Sequence, residues 1–390
     1  MLDHNKGLSM LYTSYEMQRA WLGTLGQMAE QGARFWGNDA NPFAYLGGGS
    51  VLSSALEVFA HAAAPRGKPG FGFTETIVDG KTLPVREEIV LQKPFGQLKH
   101  FVREGAPKQP RLLIVAPMSG HFATLLRGTV ERMLPTHDVY ITDWRDAKTV
   151  PMAAGTFDLE DYVDYLIEFL ETVGPGAHML AVCQPSVPCY AAACIMSEDK
   201  HPARPKTLTM MGGPIDTRKA PTAVNTLAQD RPYAWFKNSV IARVPDIYPG
   251  AGRPVYPGFL QLSGFMSMNL GNHMVSHFEM FKHLMAGDES SADLTKDFYD
   301  EYRSVCDMTA EFYLQTIDVV FQQHLLPKGE MTLRGRRVDP AAITDIGILA
   351  IEGERDDISG IGQTKAALDI ATSLPDAHKQ YHLEIGRAHV

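Results

Sequence analysis

The sequence predicts an α/β fold with a mainly parallel sheet covered by helices. Short apolar runs of the type found in buried strands recur through the middle of the chain. Segments with helical spacing separate these runs, as in folds whose strands are parallel. The length of 390 residues suits one elaborated domain, and 45% apolar with 21% charged residues excludes disorder, collagen and coiled coil as the main state.

Helices come first along the chain. Apolar residues at near-helical spacing predict a helix over 8–36 and a second over 51–63. A loop rich in Gly, Asn and Pro is predicted between them, over 38–50. We therefore assign 1–70 to an N-terminal helical segment.

Alternating strands and helices follow and define the predicted core, 71–213 together with 341–390. Two antiparallel strands, 88–91 and 99–102, open the sheet. Buried strands are then predicted over 111–117, 138–142, 178–182, 206–211, 346–351 and 379–383. The helices that accompany them are predicted over 159–172, 187–196 and 363–374.

The alternation stops between 214 and 340, which we interpret as an inserted, largely helical cap. This stretch is rich in Met, aromatic and His residues, notably over 256–259, 265–268 and 277–281. Such a composition suits an apolar ligand, and it is also typical of plain cap core.

Charge and cysteine content narrow the function classes. The net charge of −9 argues against a nucleic-acid partner. No apolar run approaches the roughly 20 residues of a membrane span, and the first residues lack a secretory pattern. Four cysteines without a CxxC pair make no disulfide framework. We predict a reduced, cytoplasmic protein with no metal and no cofactor.

The sharpest local feature is Cys183, which follows a buried strand at once and precedes a helix. An α/β-hydrolase places its nucleophile on such a strand-to-helix turn. The flanking Ala181 and Pro185 depart from the usual Gly-x-nucleophile-x-Gly, and a buried cysteine acting as a small hydrophobe is the alternative. Ser186 is the rival nucleophile. The other cysteines are interpreted as core residues, namely Cys189, Cys194 and Cys306.

A carboxylate and a histidine follow the nucleophile in the α/β-hydrolase order. Asp356 comes after the strand 346–351 at Gly-x-x-Asp spacing and fits the triad acid, whose task is to orient the histidine. Asp357 is the second choice, and a charged surface loop is the alternative. His389 is the one histidine beyond the last predicted strand, whereas His382 lies within it.

A loop after an early strand commonly supplies one N–H group of an oxyanion hole, and here it covers 116–122. The other N–H should come from the residue after the nucleophile, Gln184, which unlike Pro185 retains its donor. His121 lies upstream of the nucleophile and is interpreted as a loop-packing residue.

With these residues identified, the chain resembles the intracellular polyhydroxyalkanoate (polyhydroxybutyrate) depolymerases over most of its length. The strings that carry the resemblance are 10–12, 15–19, 117–129, 142–147, 182–188, 211–216 and 352–358. The resemblance implies Cys183 as nucleophile, an Asp as triad acid, a histidine near the C-terminus, and an oxyanion hole formed by the backbone of Ser119 and Gln184.

The resemblance also implies a carboxylic ester hydrolase that releases 3-hydroxyacids from a stored polyester at the granule surface in the cytoplasm. A polyester synthase-like acyltransferase uses the same fold and a cysteine, but its turn should read Gly-x-Cys-x-Gly. An inactive protein that coats granules is the alternative from another class. Chain length of the monomer, thiolysis in place of hydrolysis, and homo-oligomerisation stay open.

The last seven residues, 384–390, do not fit the resemblance. They are a translation of GAG-ATC-GGA-AGA-GCA-CAC-GTC, which from its second base onward is a common sequencing-library adapter. The family should continue with a Gly-x-Gly-His-Tyr-Gly type of loop and a further helix. We therefore expect a non-native tail, a longer natural chain, and weak or no activity in this one.

Overall fold

The computed structural model describes residues 4–38, 49–64, 67–268 and 304–389. The predicted segment 277–281 lies outside these residues, as do 39–48 of the predicted first loop. The strands are β1 Glu75–Val78, β2 Lys81–Gln92, β3 Gly96–Arg103, β4 Arg111–Val115, β5 Asp138–Trp144, β6 His178–Val182, β7 Thr207–Met211, β8 Ala242–Arg243, β9 Pro254–Tyr256, β10 Met308–Thr309, β11 Thr332–Leu333, β12 Arg336–Arg337, β13 Gly347–Gly353 and β14 Lys379–Glu384.

Helices cover the sheet and extend from it. They are α1 His4–Trp36, α2 Gly49–Ala63, α3 Arg127–Met133, α4 Leu159–Val173, α5 Ser186–Glu198, α6 Ala223–Asp230, α7 Tyr233–Ser239, α8 Gly258–Met268, α9 Ala310–Thr316, α10 Leu325–Lys328 and α11 Ala366–Ile370. Among the described helices, none is both long and apolar enough to cross a membrane.

The central sheet has nine strands in the order β1-β2-β3-β5-β4-β6-β7-β13-β14. From β5 to β14 every neighbouring pair is parallel, and β1, β2 and β3 are antiparallel. The chain thus has the predicted α/β-hydrolase fold. Parallel pairing also aligns the carboxyl ends of β4, β5, β6 and β13 at one edge, where ligands bind in open α/β sheets.

The buried strands have the sequence character that parallel sheets require. In β4 and β6 the last four residues are buried without alternation, because helices cover both faces. Trp144 at the end of β5 is almost fully buried, and its indole N–H donates to the Ala116 carbonyl at 2.8 Å. That bond ties the end of β5 to the loop that follows β4.

One expectation needs correction. The predicted helix over 363–374 is only Ala366–Ile370, because turns flank it on both sides. In the described part of 214–340, short strands accompany the helices and form the three-stranded sheet β10-β9-β8 and the hairpin β11-β12. Very short strands such as β8, with two residues, leave no readable alternation.

The N-terminal helices form a hairpin whose contact is made by small residues. A Cβ on Gly26 would lie 3.1 Å from the Ala63 Cβ, and one on Gly32 would lie 3.1 Å from the Leu56 Cδ1. Close approach of α1 to α2 therefore depends on these glycines. Tyr12, from the same helix, is fully buried against the rest of the protein.

Candidate active site

Cys183 lies on a tight turn between β6 and α5. Its φ of +67° is in the left-handed region, which is uncommon for a residue with a Cβ and is typical of a strained functional turn. The Cys183 N–H donates to the Met211 carbonyl at 2.7 Å, and the Ser186 N–H donates to the Cys183 carbonyl at 3.1 Å. The turn holds the half-buried thiol above the carboxyl end of the sheet.

A glycine in the neighbouring strand connection makes room for this turn. A Cβ on Gly213 would lie 2.0 Å from the Ser186 Oγ and 3.3 Å from the Cys183 carbonyl. Ser186 itself is fully buried, and its hydroxyl has no partner among the described residues. The geometry therefore makes Cys183, and not Ser186, the side chain that an ester could reach.

Asp356 is held by the loop that follows β13. Its Oδ1 accepts hydrogen bonds from the N–H groups of Ile358 at 2.9 Å and Ser359 at 2.7 Å. Its Oδ2 lies 2.7 Å from the His389 Nδ1, and its side chain is completely buried. Asp357, the second choice from the sequence, is exposed. The structure thus directs Asp356 toward a histidine.

The segment after β14 carries His389 to the nucleophile. The N–H groups of Glu354 and Arg355 donate to the carbonyls of Glu384, at 3.0 Å, and Arg387, at 2.8 Å. These bonds hold the segment after β14 beside the start of the loop that carries Asp356. His389 then hydrogen-bonds both Asp356 and Cys183.

The surroundings of His389 favour its protonated form. Burial lowers the pKa of its imidazole, but the charge of Cys183 and the hydrogen bonds to Asp356 and Cys183 raise it more strongly. The result is a pKa raised from 6.5 to about 10. The ring is therefore protonated at neutral pH, and a histidine cation beside a cysteine is the arrangement that activates cysteine nucleophiles.

The other histidines considered from the sequence lie elsewhere. His382 is exposed on β14, with its Nε2 2.7 Å from the Glu384 Oε2. His121 is buried and pairs through its backbone with Val305.

The oxyanion loop and the turn face each other across β4 and β6. The Met118 N–H donates to the Gln184 Oε1 at 3.2 Å, which fixes the loop against the residue after the nucleophile. Within the described part of the chain, the backbone N–H groups of Ser119 and Gln184 have no acceptor. Free N–H groups of this kind are what an oxyanion hole requires.

Two glutamine side chains near the nucleophile escaped the sequence reasoning. A Cβ on Gly120, whose φ is +93°, would lie 2.4 Å from the Gln261 Oε1, so α8 lies directly over the oxyanion loop. The Gln261 Oε1 and the Gln184 Nε2 are buried without partners among the described residues. Gln261 carries no sequence signal, because only the tertiary fold brings the cap to this loop.

Glu352 organises the region behind Asp356. This nearly fully buried carboxylate accepts hydrogen bonds from the N–H groups of Gly362, Thr364 and Lys365, and from the Tyr381 hydroxyl, all at 2.8 to 2.9 Å. It therefore joins β13, β14 and the segment before α11. We regard it as a positioning residue for the Asp356 loop.

The remaining cysteines lie in the protein interior. Cys189, Cys194 and Cys306 are buried, and burial raises the pKa of each thiol well above its usual range. A neutral, inaccessible thiol is a poor nucleophile. The described residues also contain no group of three His, Cys, Asp or Glu side chains suited to a metal ion.

Part of the chain matches a known protein family. Residues 212–390, a little under half of the chain, match the family described as PHB de-polymerase C-terminus. No curated protein matches the sequence. Naproxen esterase from Bacillus subtilis is similar in structure, with 15% identity and a TM-score of 0.41 over 79% of this chain and 86% of its own. An α/β-hydrolase from Penicillium sp. sh18 is 12% identical, with a TM-score of 0.45 over 79% and 92%. The family match supports an ester hydrolase.

Proposed function

We propose that this chain, whose residues 212–390 match the family described as PHB de-polymerase C-terminus, hydrolyses stored poly(3-hydroxyalkanoate) to 3-hydroxyacids through a cysteine acyl-enzyme. The observation that carries this proposal is that Cys183, on a strand-to-helix turn, hydrogen-bonds His389, which in turn hydrogen-bonds Asp356. We place the activity in the cytoplasm, at the surface of the polymer granule.

The reaction follows from the positions of these groups. The Cys183 thiolate attacks the ester carbonyl carbon, and the N–H groups of Ser119 and Gln184 stabilise the oxyanion. The carbon–oxygen ester bond then breaks, and the imidazolium of His389 gives its proton to the leaving hydroxyl. Asp356 holds the Nδ1–H of His389, so that the other ring nitrogen faces the sulfur.

Water completes the cycle. His389, now neutral, takes a proton from water as the water oxygen attacks the thioester carbonyl. The carbon–sulfur bond breaks, the acid leaves, and the thiolate and imidazolium are restored. The Gln184 Nε2, which has no partner among the described residues, can donate to an ester oxygen of the substrate, and the Gln261 Oε1 can accept only from a terminal hydroxyl of the chain.

The outer face of α1 supports association with a polymer surface. Met10, Met17, Trp21, Met28 and Phe35 are each more than half exposed. Their spacings of seven and four residues place all five side chains along one face of the helix, over roughly 37 Å. Such an apolar stripe is unusual on a protein that has no apolar partner, and an amorphous polyester presents a surface of matching chemistry.

Cys183→Ala tests the proposed reaction. We expect release of 3-hydroxybutyrate from native granules to fall to the rate of granules without protein, because the nucleophile is removed while the turn is kept. The control is Cys194→Ala, which changes a buried helix cysteine. Release by the Cys183→Ala variant within tenfold of the parent would contradict the assignment. Transfer from coenzyme A thioesters into polymer would indicate the acyltransferase, and granule binding without any release would indicate a coat protein.

Replacing three residues of the stripe tests granule association. Met17→Glu, Trp21→Glu and Met28→Glu together should reduce sedimentation with granules about tenfold or more, since charges oppose burial of this face. A charge-matched control changes exposed polar positions of the same helix, with Gln18→Glu, Gln27→Glu and Gln31→Glu. Equal binding by both triple variants would contradict the role of the stripe.

A further inference from the structure

A cavity of about 510 Å³ lies between α1 and the carboxyl end of β5. Two of the strings singled out in the sequence, 15–19 and 142–147, meet there, and the reaction proposed above uses neither. The charged residues in its lining are Arg19, Lys68, Arg145 and Lys148, with Glu16 and Asp146. Cations therefore outnumber carboxylates around a cavity in a protein whose net charge is −9.

Both carboxylates are already engaged. The Glu16 Oε2 accepts from the Tyr248 hydroxyl at 2.7 Å, and its Oε1 lies 3.4 Å from the Lys148 Nζ. The Asp146 Oδ1 accepts the N–H groups of Lys148 and Asp307, each at 3.1 Å. These acids hold Lys148 and the cavity wall in place, so their charge is locally balanced.

Arg145 carries the surplus positive charge. Its backbone N–H donates to the Phe95 carbonyl at 2.9 Å, whereas its guanidinium has no hydrogen bond or ion pair to any residue that the structure describes. Lys68, by contrast, has its Nζ 2.6 Å from the Asp143 Oδ2. A half-buried guanidinium with a free fork in a cavity is suited to bidentate binding of a carboxylate.

The cavity adjoins the catalytic loop. Phe122 and Val305 line it, and the Cys306 N–H donates to the Gly120 carbonyl at 2.8 Å beside the oxyanion loop. Arg145 follows β5 and Cys183 follows β6, with β4 between them. Two strand spacings of about 4.8 Å separate these chain positions by roughly 10 Å.

We propose that this cavity binds the free carboxylate end of a short 3-hydroxyacid chain on Arg145 while an ester of the same chain lies at Cys183. The inference rests on the proposed function, which it extends to a preference for acid-ended chains. A 3-hydroxyacid repeat contributes four backbone bonds of about 1.3–1.5 Å, so about two repeats span the roughly 10 Å between the two positions.

Binding is tested apart from catalysis, by titrating the 3-hydroxybutyrate trimer into Cys183→Ala and into Cys183→Ala with Arg145→Gln. We expect Arg145→Gln to weaken binding of the free acid about tenfold or more, and binding of the trimer methyl ester much less. Arg132→Gln, which removes an exposed arginine of α3, is the matched control and should change neither affinity. Inorganic phosphate is titrated in parallel.

The outcomes separate the two proposals. Equal affinity of the free acid for both proteins, or no binding, overturns the carboxylate site even where the parent cleaves esters. Tighter, Arg145-dependent binding of phosphate assigns the cavity to a phosphate and overturns it also. If the acid binds through Arg145 but the parent protein cleaves no ester, the carboxylate site is supported and the proposed function is overturned instead.

Discussion

The thiol of Cys183 differs from the other three thiols in its access and in its neighbours. It is half-buried beside His389, whose pKa is raised to about 10, whereas Cys189, Cys194 and Cys306 are buried and their pKa values are raised by burial. A thiol that is accessible and paired with a cation reacts as its thiolate. Reactivity toward an alkylating agent therefore reports directly on the site.

Iodoacetamide at pH 7 should label Cys183 before the other cysteines. His389→Asn should slow this labelling about tenfold or more, because it removes the cation that stabilises the thiolate. His382→Asn changes an exposed histidine of β14 and should leave the rate unchanged. Peptide mass spectrometry over time measures the order, and labelling of Cys306 first would contradict it.

At the scale of elements, the end of β13 determines where the imidazole lies. A Cβ on Gly353 would lie 2.6 Å from the Ala388 carbonyl oxygen and 2.8 Å from that of Arg387. Both atoms are backbone, so the segment that carries His389 must move to accept a side chain there. The glycine of the Gly-x-x-Asp spacing is thus explained by close approach of the tail.

Gly353→Ala should therefore lower ester hydrolysis about a hundredfold, since a shift of about 1 Å in a catalytic group has effects of that size. Gly347→Ala is the control, because it lies in the same strand and the nearest atom to its Cβ would be the Thr207 Cγ2, at an ordinary contact distance of 3.4 Å. Steady-state rates on a short ester compare the two proteins. Full activity in Gly353→Ala would show that the tail position does not matter.

At the scale of the whole molecule, a buried polar network joins the N-terminal helix to the core. The Tyr12 hydroxyl hydrogen-bonds the Asp307 carboxylate, whose Oδ1 accepts the Gly258 N–H at 2.9 Å. Asp146 lies beside it and accepts the Asp307 N–H. Burial, with the nearby charge of Asp146, raises the pKa of Asp307 from 3.8 to about 7.

This pKa makes stability depend on pH in a defined direction. The folded protein keeps a proton on Asp307 that the unfolded chain releases above about pH 4. The stability that this proton contributes is therefore fully present below pH 3.8 and is lost as the pH rises through about 7. Asp307→Asn keeps a neutral group of the same shape. The free energy of unfolding of the variant, relative to that of the parent, should increase by roughly 1–3 kcal/mol from pH 5 to pH 8.

Denaturant unfolding at both pH values measures this difference. Asp246→Asn alters an exposed carboxylate and should show no such gain. A parent that is stabilised relative to Asp307→Asn as the pH rises would contradict the assigned direction.

The sequence by itself determined the fold, and it predicted the turn that carries Cys183. Strands such as β4 and β6 are short and, after a polar first residue, entirely apolar, and that local pattern is visible without any tertiary information. Cys183, Asp356 and His389 could be named because each follows a recognisable strand. Their association in space was an expectation from chain order, and the structure brings the three together.

Only the tertiary structure decided which residues surround that turn. Gln261 reaches the oxyanion loop from the cap, and Arg145 shares a cavity with Glu16 and Arg19 of the first helix. These residues are far apart in the chain, and each is an ordinary polar residue in its own segment. Hydrophobic spacing records which face of an element is buried, but it does not record which distant element covers that face, and so such contacts leave no local pattern to read.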